Sequence, residues 1–386
     1  PLLHNPQYEI RLFTGPQKKE VAEAAGFTVV PILEDHIEDF ERAANNVQQL
    51  GVLSAYNQLS ASIDLINLVS DQLLEEWRKN RPDIVIADFI TLSGGLVANQ
   101  LGIPWITTMA TQFVLETTDG PPCLFGGMGS PKNSWQATIQ FLGRKATRIV
   151  KRIVFFSFRD RLKRYKFKLY NQLGHETIYS PYSILAIGMK ELELKKGFPE
   201  HFRWVGPSGA SVEAREDYPL DLTPFIERKK VLVTCGTQLA WAKENLICQA
   251  KQLAKAHPEC HFFVTRGVGG EAFQCENFME NLSVVSYLPY KEYIPQMDYV
   301  IHHGGAGIFY QCIIYGKPAL ILPHDYDQFD YAARGVEAGI AFTAKRDNSK
   351  AIGQAFEELL AKENWPELET LRQAAQSYHP TEILEG

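Results

Sequence analysis

His302-His303-Gly304-Gly305-Ala306-Gly307, continued by Gly316-Lys317-Pro318 and then Pro323-His324-Asp325-Tyr326-Asp327-Gln328, is the stretch whose reading decides the fold. Tyr299-Val300-Ile301 ahead of it is a short apolar run of the kind buried in parallel sheets, and 308–315 behind it has helical content. The pattern is a strand that ends in a glycine turn and opens a helix. Glycines let a ligand approach the backbone closely, and the free amides at a helix N-terminus carry roughly half a positive charge. Such a junction can neutralise a pyrophosphate without a metal.

Working outward, further strands are expected at 230–234, 261–265, 283–288 and 319–322, which makes the second half an α/β series. The first half alternates in the same way. A strand at 10–13, a helix at 17–25 closed by Gly26 and a strand at 27–32 are followed by a helical pattern over 59–78. A buried strand at 82–88, a helix at 93–101 ended by Gly102 and a strand at 103–108 complete it. Residues 207–228, rich in proline, glycine and charge, read as the linker between an N-terminal domain (1–206) and a C-terminal domain (229–386). The last helix is expected to pack back on the N-terminal domain. Two α/β domains joined by one linker place a ligand cleft between them.

Composition narrows the function. With 386 residues the chain can bury a large core, and a net charge of -6 disfavours a dedicated nucleic-acid binder. No apolar run approaches the ~18 to 20 residues that span a bilayer, and 1–10 lacks the basic start and apolar core of a signal peptide. The six cysteines are scattered without metal-ligand spacing, so reduced thiols and a cytoplasmic location are expected. Residues 111–135 read as a long loop over a pocket, from Gly120-Pro121-Pro122 to Gly126-Gly127-Met128-Gly129. The basic segment 144–170 follows, its cations alternating with Ile149, Ile153, Phe156 and other apolar residues. It has two readings: amphipathic helices with a solvated basic face, or a patch that meets an anionic acceptor or a membrane surface.

These motifs together resemble the family-1 glycosyltransferases of the GT-B fold, especially bacterial enzymes that glycosylate natural products or lipids. Gly316, Pro318, Pro323, Asp327 and Gln328 fall at that family's spacings from His303. Val205-Gly206-Pro207, Thr234-Cys235-Gly236-Thr237, Tyr287-Leu288-Pro289 and the stretch from Asp83 to Pro104 extend the match over nearly the whole chain. The resemblance implies two Rossmann-like domains facing across a cleft. It also implies inverting, metal-independent transfer of a hexose from a nucleotide sugar to a hydroxyl of a hydrophobic small molecule or lipid. A UDP-sugar, UDP-glucose or a relative, is the favoured donor, with a dTDP-sugar as its competitor.

The same resemblance assigns residues. Tyr287 would stack on the nucleobase and the Leu288 backbone would read its edge. Thr237, His303 and the amides of Gly305, Ala306 and Gly307 would hold the phosphates, while Asp327 and Gln328 would bond the sugar hydroxyls. Structural alternatives stand beside these: a half-buried strand aromatic for Tyr287, a turn threonine for Thr237, a helix N-cap for Asp327 and a structural role for His302. The Asp325/Asp327 pair is not read as a metal-binding DxD, because the helix dipole already compensates the leaving group. Asp88, at the carboxyl end of a strand, takes the place of the acid that orients the family's catalytic histidine; its alternative is a loop cap. Pro1-Leu2-Leu3 resembles the residues after that histidine, which puts the base three positions ahead of Pro1. Phe89, Phe113, Leu124 and Phe125 are the expected acceptor wall.

Two positions depart from the family pattern inside the decisive stretch. Gln311 stands where a ribose-binding glutamate is usual, and a neutral amide bonds a hydroxyl more weakly than a carboxylate does. Ile308 stands where a phosphate-binding hydroxyl is common, and Tyr290 replaces a glutamine near the nucleotide. Two other functions fit the same fold: a non-catalytic helper that has lost its base, and a sugar-nucleotide epimerase.

Overall fold

The computed structural model describes residues 7–37, 52–123, 126–208, 220–236, 243–267, 273–325 and 327–379. The inner strands of its C-terminal sheet are runs of Val, Leu, Ile and Phe that are buried on both faces, as parallel strands covered by helices must be. The sheet's strands are β7 (Lys229–Thr234), β8 (Cys260–Thr265), β9 (Cys275–Met279), β10 (Leu282–Val285), β11 (Tyr299–His302), β12 (Ala319–Ile321) and β13 (Ala341–Thr343). Their order is β13-β12-β11-β7-β8-β10-β9, parallel except for β9. Successive strands run outward from β7 in one direction and from β11 in the other. The junction between them is a topological switch point, where open α/β sheets bind ligands at the strands' carboxyl ends. His302 is in register with Thr234, so both strands end at the same level there.

The N-terminal half holds a second parallel sheet, β3 (Val85–Asp88), β4 (Trp105–Met109), β5 (Ser183–Ala186) and β6 (Phe202–Trp204), in that order. A separate parallel pair, β1 (Arg11–Thr14) and β2 (Thr28–Pro31), packs Phe13 edge-on to Trp77 of the helix Val52–Lys79, with ring centroids 5.9 Å apart. The helix Leu92–Leu101 lies close on β4. A β-carbon on its Gly95 would stand 2.4 Å from the Trp105 ring, so the approach requires glycine.

Several expectations shift. The helix read from 144 starts at Ser134 and runs to Ser157, taking in the end of the expected loop; Asn133 caps it by accepting a bond from the Gln136 amide at 2.9 Å. Strands β5, β6, β9 and β13 were not expected. The first two and the last are three or four residues long, and β9 is an exposed edge without an apolar run, so none carries a clear period. The last described helix, Pro366–Gln376, packs within its own domain through Leu368 and Leu371. The link to the other domain comes from Tyr378 just beyond it, whose hydroxyl donates to Glu191 at 2.8 Å and accepts from the Lys190 amide at 2.9 Å.

The two domains meet mainly on the helix Gln328–Glu337. Loops after β4 and β5 wrap it: the Ala110 carbonyl accepts from the Tyr331 hydroxyl at 2.9 Å, and Glu193 pairs with Arg334 at 2.5 Å. Arg334 is only 1% exposed, and its guanidinium lies 3.8 Å from the centre of the Phe113 ring. Buried Lys195 tightens the loop after β4 by donating to the carbonyls of Phe113 and Leu115.

Candidate nucleotide-sugar site

The site forms where β11 gives way to its helix. Gly305 is the N-cap of the helix Ala306–Ile314, in extended backbone and without a side-chain cap. The amides of the helix's first turn have no partner within the helix and point along its positive end. Gly304 makes the turn at φ 93°, in the left-handed region that glycine tolerates. Its amide donates to Nδ1 of His302 at 3.0 Å. That bond leaves His302 with its proton on Nε2 and a structural role, 1% exposed beneath the turn.

His303 points the other way. A β-carbon on Gly236 would come within 3.0 Å of its Cε1, and one on Gly305 within 2.5 Å of its Nε2. The imidazole is thus wedged between the glycine turns that follow β7 and β11. Burial pushes it down to about 4, and neighbouring His324 adds to this, against the pull of the Thr234 carbonyl. A neutral, half-buried imidazole here can receive a proton when an anion arrives.

A hydroxyl network underlies the β7 turn. Thr234 Oγ1 accepts from Thr265 Oγ1 at 2.9 Å and from the Gly236 amide at 3.0 Å, and lies 3.0 Å from the Tyr290 hydroxyl. Burial pushes Tyr290 up to about 12, so it stays a neutral phenol. Tyr290 therefore supports the turn from below. Cations collect near the same turn, since Lys243 and Arg346 both act on the buried Cys235 thiol and Arg346 donates to the His324 carbonyl at 3.2 Å. Among the described residues no group of three or more His, Cys, Asp or Glu side chains could hold a metal ion.

The other expected residues fall as follows. Tyr287 is half-buried, while the Leu288 side chain is in the core, so only its backbone can meet a ligand. Gln311 is buried on the helix Ala306–Ile314. Asp327 occupies the N-cap position of the next helix without capping it; its Oδ2 instead accepts from Thr111 Oγ1, across the domain boundary, at 2.8 Å. Burial raises its pKa, opposed by that bond. Gln328 Oε1 accepts from the amides of His324 and Asp325 at 2.8 and 3.1 Å and holds the loop ahead of its own helix.

In the N-terminal domain, Asp88 Oδ1 accepts from the Ile90 amide at 3.0 Å, and burial raises its pKa. Phe89 packs against the N-terminal core. Phe113 is 2% exposed, covered by Arg334 and Tyr331, and lines no open face. Thr237, Leu124 and Phe125 lie outside the described residues, as do 1–6 at the chain start. Thr111, Thr234 and Arg334 are site or interface residues that the sequence reading does not single out, and Tyr290, read there only as replacing a nucleotide-proximal glutamine, supports the turn instead. Only the hydroxyl at the end of an apolar strand, Thr234, carried a sequence signal for it.

The histidines predict a pH response. His302 and His261 are pushed down to about 3 and about 4 by burial, as His303 is to about 4, all from an ordinary value of 6.5. The unfolded chain therefore binds more protons than the folded one between about pH 6.5 and 4, so stability is full above 6.5 and falls with pH below it. Each histidine contributes at most about 1.4 kcal/mol per pH unit in that window. Thermal melts should fall steadily from pH 7 to pH 5, and His302→Gln should flatten the slope.

A parallel α/β sheet in each half of the chain, with a helix N-terminus at the switch point of the C-terminal one, is the architecture of the GT-B class. Residues 270–385 match the family of erythromycin biosynthesis protein CIII-like C-terminal domains. NDP-glycosyltransferase YjiC of Bacillus subtilis is 24% identical over 274 residues, a match that spans 70% of this chain and 62% of that protein. The 4'-demethylrebeccamycin synthase of Lentzea aerocolonigenes is 22% identical over 384 residues, 92% of this chain and 85% of its own length. The solved structure of spinosyn rhamnosyltransferase SpnG complexed with thymidine diphosphate superposes with a TM-score of 0.62 at 15% identity, covering 97% of this chain and 92% of that one. The chain therefore has the two-domain GT-B fold of that rhamnosyltransferase structure, and its C-terminal part carries the erythromycin CIII-like domain.

Proposed function

We propose that this protein transfers a hexose, with inversion and without a metal, from a nucleotide sugar to a hydroxyl group of an apolar acceptor. One observation carries the reading: His303 is wedged between two glycine turns at the switch point, beside an uncapped helix N-terminus. That arrangement suits the β-phosphate of a leaving nucleoside diphosphate. As the glycosidic bond breaks, charge grows on that phosphate, and preorganised amides aimed at it stabilise the transition state more than the ground state. A neutral His303 adds a hydrogen-bond donor there. In this reading Tyr287 and the Leu288 backbone receive the base, Asp327 and Gln328 meet the sugar, and Asp88 orients the base that deprotonates the acceptor.

A uridine diphosphate donor is the reading favoured by the sequence. A thymidine diphosphate donor is the second, supported by the complex of the spinosyn enzyme. Titration calorimetry and donor-hydrolysis assays with UDP-glucose and dTDP-glucose separate them. His303→Ala should weaken whichever donor binds by at least about tenfold, the loss of one hydrogen bond to a charged group. Equal binding by wild type and variant would remove His303 from the donor site.

A further inference from the structure

The helix Ser134–Ser157 is seated the wrong way round for a water-facing helix. Its inward side is polar over most of its length: Gln140 donates to the Gly129 carbonyl at 2.8 Å, Thr147 to the Cys123 carbonyl at 3.0 Å, and Lys151 to Glu176 at 2.6 Å, with Val154 and Phe155 packing on the core near its end. Arg144 and Arg148 are likewise bonded to the carbonyls of Gly120 and Gly174. Its outward side is apolar. Trp135, Ile139, Leu142, Ile149, Ile153 and Phe156 are 39% to 72% exposed and recur at alternating spacings of four and three, with Ala146 at the one remaining position. They form a straight stripe about 30 Å long at 1.5 Å per residue. Among the described residues no element covers it.

Ordinary surface helices bury such a stripe. This one is fastened mostly by its polar side, so the apolar side is held in place facing away from the described residues. Charge identifies the occupant. The helix has five lysines and arginines and no acidic residue, and between 144 and 168 the count is eleven cations against Asp160 alone, a net +10 in a chain of net -6. Exposed Lys145 and Arg152 flank the stripe directly. A second copy would bring two such segments together, like against like, and a paired helix seam normally carries acidic residues beside the basic ones. An apolar stripe edged by cations instead matches a bilayer with anionic headgroups, where the rings and branched chains enter the acyl boundary and the cations reach back to the phosphates.

We infer that the outward face of the Ser134–Ser157 helix docks this protein on the surface of an anionic lipid membrane. The inference is independent of the donor reading. It is tested by co-sedimentation with phosphatidylcholine vesicles, with or without about one third phosphatidylglycerol, near 0.05 and 0.5 M salt. Wild type should sediment with the anionic vesicles only, and the higher salt should weaken this about tenfold or more. Ile149→Glu/Ile153→Glu should lose at least about tenfold in binding, and Lys145→Glu/Arg152→Glu should also weaken it, both with the wild-type thermal melt because all four side chains face outward. Equal sedimentation of wild type and the isoleucine variant would overturn the inference. So would failure of wild type to bind anionic vesicles, with or without a dimer that the isoleucine variant dissociates; the dimer would assign the stripe to a second copy.

Discussion

Arg334→Ala is expected to destabilise the fold by about 3–5 kcal/mol, the cost of leaving one member of a buried ion pair alone. Arg334 and Glu193 are 1% and 2% exposed at their side chains and meet at 2.5 Å. The pair joins the loop after β5 to the helix Gln328–Glu337, so its loss is felt by both domains. Truncation also removes the guanidinium from the Phe113 ring and from Asp330, whose carboxylate is 3.7 Å away. Urea unfolding measures the loss. The double variant Arg334→Met/Glu193→Leu should recover part of it, because neither member of the pair is then left alone, while Asp330 and the Lys195 amide, which donates to Glu193 at 2.8 Å, still lose a partner. A loss below about 1 kcal/mol for Arg334→Ala would mean that water reaches Glu193.

Gly305→Ala is expected to leave the fold standing while donor affinity falls about a hundredfold or more. The backbone there, φ -66° and ψ 149°, suits any residue, so alanine introduces no strain of its own. Its β-carbon would nevertheless come 2.5 Å from His303 Nε2. The imidazole must move, and the methyl group crowds the amides that face the diphosphate. Two hydrogen bonds to a charged group, at about 1.5–3 kcal/mol each, account for the size of the effect. Titration calorimetry with the donor, next to a thermal melt, checks both halves.

Much of this was legible because local chemistry and tertiary context agree. The apolar runs of β7, β8 and β11 are short and bounded by turn signals, which suits parallel strands buried on both faces, and the glycines after His303 fix a turn into a helix. Asp327 and Gln328 were legible as a pair beside the site. Their side-chain partners were not, because Thr111 lies more than two hundred residues away and spacing within one domain says nothing of it. Phe113 shows the same limit. An aromatic residue in a loop rich in turn signals reads as a pocket wall, yet a distant arginine covers it. The basic helix was ambiguous for a different reason, since periodicity finds two faces and cannot tell which is buried.

The most direct test of the account is the titration of His303. With histidines labelled at Cε1 and His303→Ala used for assignment, its imidazole should titrate near about 4 in the free protein. Saturating UDP or dTDP should move that midpoint upward, toward neutrality, because a phosphate anion beside the ring favours its charged form. A midpoint that stays in place while the nucleotide is demonstrably bound would contradict the claim that the His303 junction holds the donor's diphosphate.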